Sequence, residues 1–337
     1  MPEDPSRIAL VLGAHGGVGG ETALALARHG WTIRALVRDP SKAPRRADWS
    51  YVVGDAMNRD TVVAAAGGAG LIVHAVNPPG YRGWNRLVLP MIDNTIAAAE
   101  TNGARILLPG TIYNYGRDAY PLLSEESPQR PATRKGEIRV RLEARLEAAA
   151  ARGVRALVLR AGDYFGRSAR NNWFSQALVK PGQKLKAVTY PGAPGVGHAW
   201  AYLPDVAETF ARLAEREADL PVFARFHFDG QWDADGTAMT SAIRRVAGAP
   251  DVPIRAFPWG LLRLIAPFNE TVRELIEMRP LWRQAARLDN RRLVAFLGAE
   301  PRTPLEQAIR ETLTGLDVPL SVTARGTRGV AAIRAVP

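Results

Sequence analysis

Val11-Leu12-Gly13-Ala14-His15-Gly16-Gly17-Val18-Gly19-Gly20 lies where an apolar run, Ile8 to Leu12, gives way to a helical pattern, Val18 to His29. That order predicts a strand, a tight turn and a helix whose first amides have no partner within the helix. Glycines let the backbone turn sharply and let an anion approach those amides, where the helix dipole favours negative charge. The spacing Gly13-x-x-Gly16-x-x-Gly19 departs from the commoner G-x-G-x-x-G. Its position after the first strand nevertheless points to a pyrophosphate, and so to a dinucleotide. Gly13, His15, Gly16, Gly17, Val18 and Gly19 are the residues expected to cradle it.

Outward from this turn, short β-rich runs alternate with helical stretches. The further candidate strands are Thr32 to Val37, Tyr51 to Val53, Leu71 to Ala75, Arg105 to Leu108 and Val154 to Arg160. Candidate helices cover Arg59 to Ala66, Arg86 to Thr101 and Arg134 to Arg152. Several strands are almost continuously apolar, as parallel strands covered on both faces should be, which predicts an α/β fold with a doubly wound parallel (Rossmann) sheet. From Asp163 the rhythm changes to turns such as Pro181-Gly182 and Pro191-Gly192, then to a helix from Pro204 to Ala218 and a strand over Phe223 to Phe228. Mainly helical sequence follows to Leu316, including the apolar Phe257 to Phe268. The expected division is a dinucleotide-binding domain over 1–163 and about 197–232, and a smaller, mainly helical C-terminal substrate lobe over about 164–196 and 233–320. A flexible tail, 321–337, carries Arg325, Arg328 and Arg334.

The 337 residues, 47% hydrophobic and 23% charged, suit a soluble globular chain of about two units. No cysteine is present, which excludes thiol nucleophiles, thiolate metal sites, iron–sulfur clusters and disulfides. No apolar run approaches the ~20 residues of a membrane span, and the acidic, proline-rich start Met1-Pro2-Glu3-Asp4-Pro5 does not resemble a secretory leader. A cytoplasmic protein without membrane partners is expected. The formal charge of +11 comes mostly from arginines spread along the whole length, with no helix-turn-helix, zinc or RNA-stacking signature, so no specific nucleic-acid partner is expected. His15, His29, His74, His198 and His227 show no metal-ligand spacing, and no G-x-S-x-G elbow occurs, which leaves metal and serine-hydrolase chemistry unsupported.

Just past the second strand, Arg38 offers a cation where the adenosine ribose would lie, which favours the 2′-phosphate of NADP over NAD. Asp39 beside it counts against that reading, and a surface arginine is the plain alternative. After the third strand, Asp55, followed by Ala56, either bonds the adenine amine or caps the next turn.

With these residues in place, the chain resembles the short-chain dehydrogenase/reductase superfamily, in its extended and atypical branches related to nucleotide-sugar epimerases and dehydratases. The likeness runs from the Gly13 turn through Tyr202-Leu203-Pro204-Asp205-Val206-Ala207 to Leu288-Asp289-Asn290-Arg291-Arg292-Leu293. It implies that His74-Ala75-Val76-Asn77 forms the wall beside the nicotinamide ribose, with Ala75, Val76 and Asn77 as cofactor residues. It also implies that Leu159-Arg160-Ala161-Gly162-Asp163-Tyr164-Phe165-Gly166 corresponds to the family's Arg-Pro-x-Asn-x-Tyr-Gly. There Ala161, a further cofactor residue, and Asp163 replace proline and asparagine.

The family pairs a Ser or Thr with Tyr-x-x-x-Lys on the following helix, the tyrosine passing a proton and the lysine lowering its pKa. By resemblance, Thr111 occupies the hydroxyl position. Lys135 replaces the tyrosine and Arg139 the lysine, so the usual acid is missing. Three readings follow: a reductase in which Lys135, Tyr113, Tyr164 or a water held by Thr111 gives the proton; a reductase of quinone-like acceptors that draws on solvent; or a non-catalytic NADP(H)-binding regulator like the superfamily's nitrogen-metabolite regulators. A redox-neutral sugar-nucleotide epimerase or dehydratase is a further alternative. The aromatic pairs Tyr81 and Trp84, Trp173 and Phe174, Trp200 and Tyr202, and Phe257 and Trp259 suit a flat or apolar substrate, although at least half of the rings are expected in the core. Arg170 and Lys180 are the candidate cations for a sugar nucleotide. The sequence therefore favours an NADP-dependent oxidoreductase acting on a small, fairly apolar carbonyl-type group, with a small-molecule partner and a possible homodimer. Thr111, Lys135, Arg139, Tyr113 and Tyr164 are its candidate catalytic residues.

Overall fold

A strand covered on both faces needs apolar side chains in succession, and Ile8–Leu12 supplies them: Ala9 and Val11 enter one core, Leu10 and Leu12 the other. The computed structural model describes residues 7–42, 46–78, 83–169 and 172–321. In chain order the first elements are β1 (Ile8–Leu12), α1 (Gly17–Arg28), β2 (Thr32–Val37), β3 (Trp49–Val53), α2 (Arg59–Ala65), β4 (Ala69–His74), α3 (Trp84–Asn102) and β5 (Arg105–Thr111). Then come β6 (Leu122–Leu123), α4 (Arg134–Ala150), β7 (Ala156–Ala161), β8 (Asp163–Phe165), β9 (Val188–Tyr190), β10 (His198–Tyr202), α5 (Leu203–Glu215) and β11 (Phe223–His227). The last are β12 (Gln231–Asp233), α6 (Ala238–Val246), β13 (Ile254–Ala256), α7 (Trp259–Ile265), α8 (Glu270–Glu277), β14 (Arg287–Leu288), α9 (Arg291–Leu297) and α10 (Leu305–Gly315).

Seven strands form one parallel sheet in the order β11-β7-β5-β4-β1-β2-β3. Helices α1 and α5 supply Ala23, Leu26, Val206 and Phe210 to one face, and α2, α3 and α4 supply Val62, Ile92 and Leu142 to the other. The fold is thus a doubly wound Rossmann sheet. Strand order reverses between β1 and β4, and ligands of such sheets bind at the carboxyl ends of the strands at that switch point. The glycine turn after β1 and the segment after β4 meet there, with Ala75 N donating to Leu12 O at 2.9 Å.

After β7 the chain builds a small sheet of β8, β10 and β12, then returns through α5 to place β11 at the edge of the main sheet. A third core of Phe165, Phe174, Trp200, Tyr202, Met239, Ile243, Trp282 and Ile309 lies beneath this second region. Asp205 of α5, buried, accepts from Thr303 N at 2.8 Å and Thr303 Oγ1 at 2.6 Å, which ties α5 to the segment entering α10.

Phe257 to Phe268 does not form one buried helix. Proline lacks an amide, so Pro258 and Pro267 interrupt it, leaving α7 followed by a separate turn, Ala266–Phe268, with Leu261, Leu264 and Phe268 exposed. The third strand begins at Trp49, two residues before the expected Tyr51, and the fourth spans Ala69–His74. Beyond Ser321 the expected tail lies outside the described residues, as do Tyr81 and Arg170. Among the described residues no helix is long and apolar enough to cross a membrane.

Candidate active site

The turn after β1 can only be made of glycine at its tightest points. Gly13 has φ +92°, and a Cβ on it would lie 2.5 Å from Ala75 O; one on Gly19 would lie 2.3 Å from Gly13 O. Gly16 caps α1 without a side-chain hydrogen bond, and the first turn carries no acid, so the helix dipole meets no built-in anion. These features fit a pyrophosphate held on the amides of Gly17 and Val18, the Gly16 amide being spent on Gly13 O at 2.9 Å within the turn.

The crevice above this turn has two parts. One, about 350 Å³, is lined by Gly13, His15, Arg38, Asp55, Ala56 and Asn77 among others. Arg38 is exposed at its rim. Asp39 is drawn into its own turn, its Oδ1 accepting from Ser41 N at 3.0 Å and Ser41 Oγ at 2.6 Å. Asp55 takes the second of the roles foreseen for it: Oδ1 caps the turn by accepting from Met57 N at 2.9 Å, and the residue borders the crevice.

The second part, about 260 Å³, continues past Ala75, Val76 and Asn77 to Thr111, Tyr113, Arg139, Asp163, Tyr164, Asn172 and the rings of Trp84 and Trp173. Thr111 closes β5 and accepts from Tyr113 N at 3.2 Å. Arg139, half-buried on α4, places its guanidinium 5.1 Å from the Trp84 ring centroid. Tyr164 donates its hydroxyl to Gly110 O at 3.0 Å, and burial pushes it well above the ordinary phenol range, with Arg139 pulling the other way. That proton is held by the protein. His74 is buried and kept neutral, its pKa lowered to about 3 by burial and then by Arg139. Its Nδ1 shares a hydrogen bond of 2.7 Å with Thr95 Oγ1, which also lies 3.1 Å from Met91 O.

Lys135 is not part of this cleft. It begins α4 one turn before Arg139 but lies on the far side of Trp84, in a neighbouring cavity with Arg273, Glu274 and Glu277. Its buried Nζ donates to Glu274 Oε2, to Glu277 Oε2 at 2.8 Å and to Glu274 O at 3.4 Å. Three donors on three acceptors make it a tie between α4 and α8, which corrects the expectation of a proton donor beside Thr111. Arg139, its expected electrostatic neighbour, serves the cleft instead. Ala161, expected at the cofactor, is packed in the core at the end of β7, opposite Thr111 in the register. Lys180 is exposed and lines neither part, and Phe174, Trp200 and Tyr202 are core rings. Trp173 remains at the cleft, backed by Phe257, Trp259 and Trp282 at centroid separations of 5.9, 5.9 and 5.3 Å.

Beneath the floor, Arg160 and Glu143 form a buried bidentate pair at 3.1 and 2.6 Å. Arg160 also donates to the Tyr115 hydroxyl, which meets His227 Nε2 at 2.7 Å. Sequence reasoning missed this network and a second pair, His198 Nε2 with Asp163 Oδ2 at 2.8 Å. Its members lie thirty-five residues apart, where no local spacing could reveal them. Among the described residues no group of three or more His, Asp or Glu could hold a metal ion.

Comparison with known proteins fits this geometry. Residues 13–132 match the family model for NAD(P)H-binding domains. Solved structures of similar fold include MoeE5 in complex with UDP-glucuronic acid and NAD, 18% identical with a TM-score of 0.71 over 91% of this chain and 98% of that one. Another is the UDP-N-acetylglucosamine 4-epimerase from Bacillus cereus, 17% identical with a TM-score of 0.68 over 90% and 94%. Residues 13–132 therefore form an NAD(P)H-binding domain, and the chain as a whole shares its Rossmann fold with these solved structures. A Streptomyces protein named 3-diazoavenalumate denitrifying reductase is 33% identical over 131 residues, 35% of this chain. That match spans 42% of the Streptomyces protein, less than half of its length.

Proposed function

We propose that the protein is an NADP-dependent oxidoreductase acting on a small, fairly apolar carbonyl-type substrate. The observation that carries this reading is the composition of the inner cleft. Trp84 and Trp173 form its walls, Thr111 stands at its floor, and among its described lining residues Arg139 is the cation and Asp163 the carboxylate. A nucleoside diphosphate sugar brings two phosphates into such a space, and one arginine facing one aspartate is poorly matched to them. A flat or apolar group is well matched.

The bound nicotinamide would supply a hydride. The pyrophosphate would rest on the glycine turn, the 2′-phosphate at Arg38, the adenine beside Asp55 and the ribose against Ala75 to Asn77. Thr111 would orient the reacting oxygen, and the aromatic walls would keep water from competing with it. The relative named as a reductase of a diazo compound supports reductive chemistry on this scaffold.

Titration with NADPH and NADH, followed by nicotinamide absorbance with aliphatic ketone, aromatic carbonyl and quinone acceptors, tests the reading. The expected result is tighter NADPH binding and net oxidation with at least one acceptor. Tight binding without net absorbance change on any acceptor would overturn it, pointing to a regulator or to a redox-neutral enzyme.

A further inference from the structure

With Lys135 tied to α8 and the Tyr164 proton held by Gly110, Tyr113 and Asp163 are the remaining described groups of the cleft, beside Thr111, that could pass a proton to a substrate, and Asp163 is the one backed by a second ionisable side chain. Asp163 opens β8 two residues beyond Ala161, the register partner of Thr111, and its side chain lines the same space as Thr111, Tyr113 and Tyr164. Behind it, His198 on the parallel neighbour β10 brings Nε2 within 2.8 Å of Oδ2. The imidazole is buried and clamped, stacked on Trp282 at 3.8 Å and 5° and set edgewise to Trp200 at 4.9 Å. A ring clamped this firmly, with a carboxylate between it and the cavity, is a preorganised proton relay.

We propose that Asp163 is the catalytic acid–base of this cleft and that His198, acting through it, is the positioning and proton-supplying residue, for a carbonyl substrate whose oxygen becomes a strongly basic alkoxide. The inference rests on the reductive reading above. In the reductive direction the carbonyl carbon gains a hydride and the C=O π pair moves to oxygen. The Nε2–H proton of the His198 imidazolium passes to the Asp163 carboxylate and on from the carboxyl group so formed to that oxygen, leaving a neutral imidazole and a carboxylate, and the pair takes up one proton through Asp163 and the open cleft once the product has left. Oxidation runs the same transfers backwards.

Other titratable groups surround the pair. Arg139 and His74 line the cleft on its other sides. Tyr190 of β9 lies close enough for the charges of Asp163, Asp233 and Asp235 to raise its pKa further, after burial. Asp233 of β12 pairs with His198 in the register but directs its oxygens to Ala238 N and Met239 N at 3.1 and 3.0 Å. Neither Asp233 nor Tyr190 lines the cleft. Asp163 is the carboxylate that joins the ring to the substrate space.

The test uses the full-length protein with Asp163→Asn and His198→Gln. Asp163→Asn is expected to lower kcat for an aliphatic ketone by about a hundredfold or more, with NADPH affinity unchanged. It should change quinone reduction far less, because the hydroquinone oxygen is weakly basic and solvent can protonate it. His198→Gln should lower kcat for the ketone about tenfold or more with KM nearly constant. Independently of turnover, proton NMR of the protein without cofactor should show a far-downfield His198 Nε2–H signal that disappears in Asp163→Asn. Retention of ketone turnover in Asp163→Asn, an equal loss for ketone and quinone, or absence of the downfield signal in the unaltered protein would each overturn the relay. If the unaltered protein oxidises NADPH with a quinone alone, the reductive reading stands and the relay falls; if it turns over nothing, the reductive reading itself fails.

Discussion

Lys135→Met keeps most of the buried stem of the side chain and removes its charge, which isolates the ion pair from packing. In the folded protein the Lys135 side chain is 2% exposed and its partners Glu274 and Glu277 are 18% and 15% exposed. Breaking a buried pair by deleting one partner costs about 3–5 kcal/mol, and the residual hydration of the carboxylates places this case near the lower figure. Helix α8 contributes no fully buried residue of its own, so the loss should appear as local opening of α8 more than as global unfolding. Hydrogen exchange of the α8 amides should accelerate roughly a hundredfold, the rate equivalent of about 3 kcal/mol. The pH dependence has a definite sign. Burial pushes Glu277 up, but the hydrogen bond and charge of Lys135, with the amides of Lys135 and Arg134, bring it below the usual carboxylate range. A carboxylate depressed in the folded state contributes stability above its unfolded pKa and loses it as pH falls through the folded value. The gap between the two proteins should therefore be widest at neutral pH and close on acidification. Adding Glu277→Gln to Lys135→Met should restore part of the protection. Unchanged α8 exchange together with abolished turnover and normal NADPH binding would refute the structural role and return Lys135 to the chemistry.

Gly13→Ala forces a Cβ to within 2.5 Å of Ala75 O at a φ of +92°, so NADPH affinity by calorimetry should fall at least a hundredfold, with a lower melting temperature. Arg38→Ala should weaken NADPH by about ten- to a hundredfold, the worth of a charge-assisted hydrogen bond, and leave NADH binding within twofold; equal losses for both would show that Arg38 does not meet the 2′-phosphate. His74 and His227 are both held neutral, with pKa values lowered to about 3 by burial, so below their ordinary pKa of 6.5 the unfolded chain binds protons that the folded one refuses. Urea denaturation should show stability falling by up to about 1.4 kcal/mol per pH unit for each histidine between pH 6.5 and 3, with a shallower slope in His74→Asn.

The main sheet was legible because buried parallel strands must be continuously apolar and because glycine is nearly irreplaceable at Gly13 and Gly19. Local chemistry of that kind survives in the order of residues, and it fixed the ends of β1 and β2 as well as the place of the cofactor turn. Arg38 and Asp55 could be singled out in the same way, each just past a strand end, whereas Ala75 to Asn77 came from the resemblance; all of them line the crevice. The inner cleft was less legible. Alignment by resemblance placed Lys135 on the reacting centre, since Lys135 and Arg139 share a helix face one turn apart. It could not show that Trp84 stands between them or that Glu274 and Glu277 come back from α8 to take the ammonium.

By itself, then, the sequence determined an α/β dinucleotide-binding scaffold, the position of its phosphate turn and the absence of the usual tyrosine. Only the tertiary structure decided which ionisable groups face one another: Lys135 with Glu274 and Glu277, Arg160 with Glu143, and His198 with Asp163. The physical reason is that strand and helix periodicity are written in neighbours a few residues apart. The charge state and use of a buried side chain depend on partners brought from distant segments, and no local pattern records them.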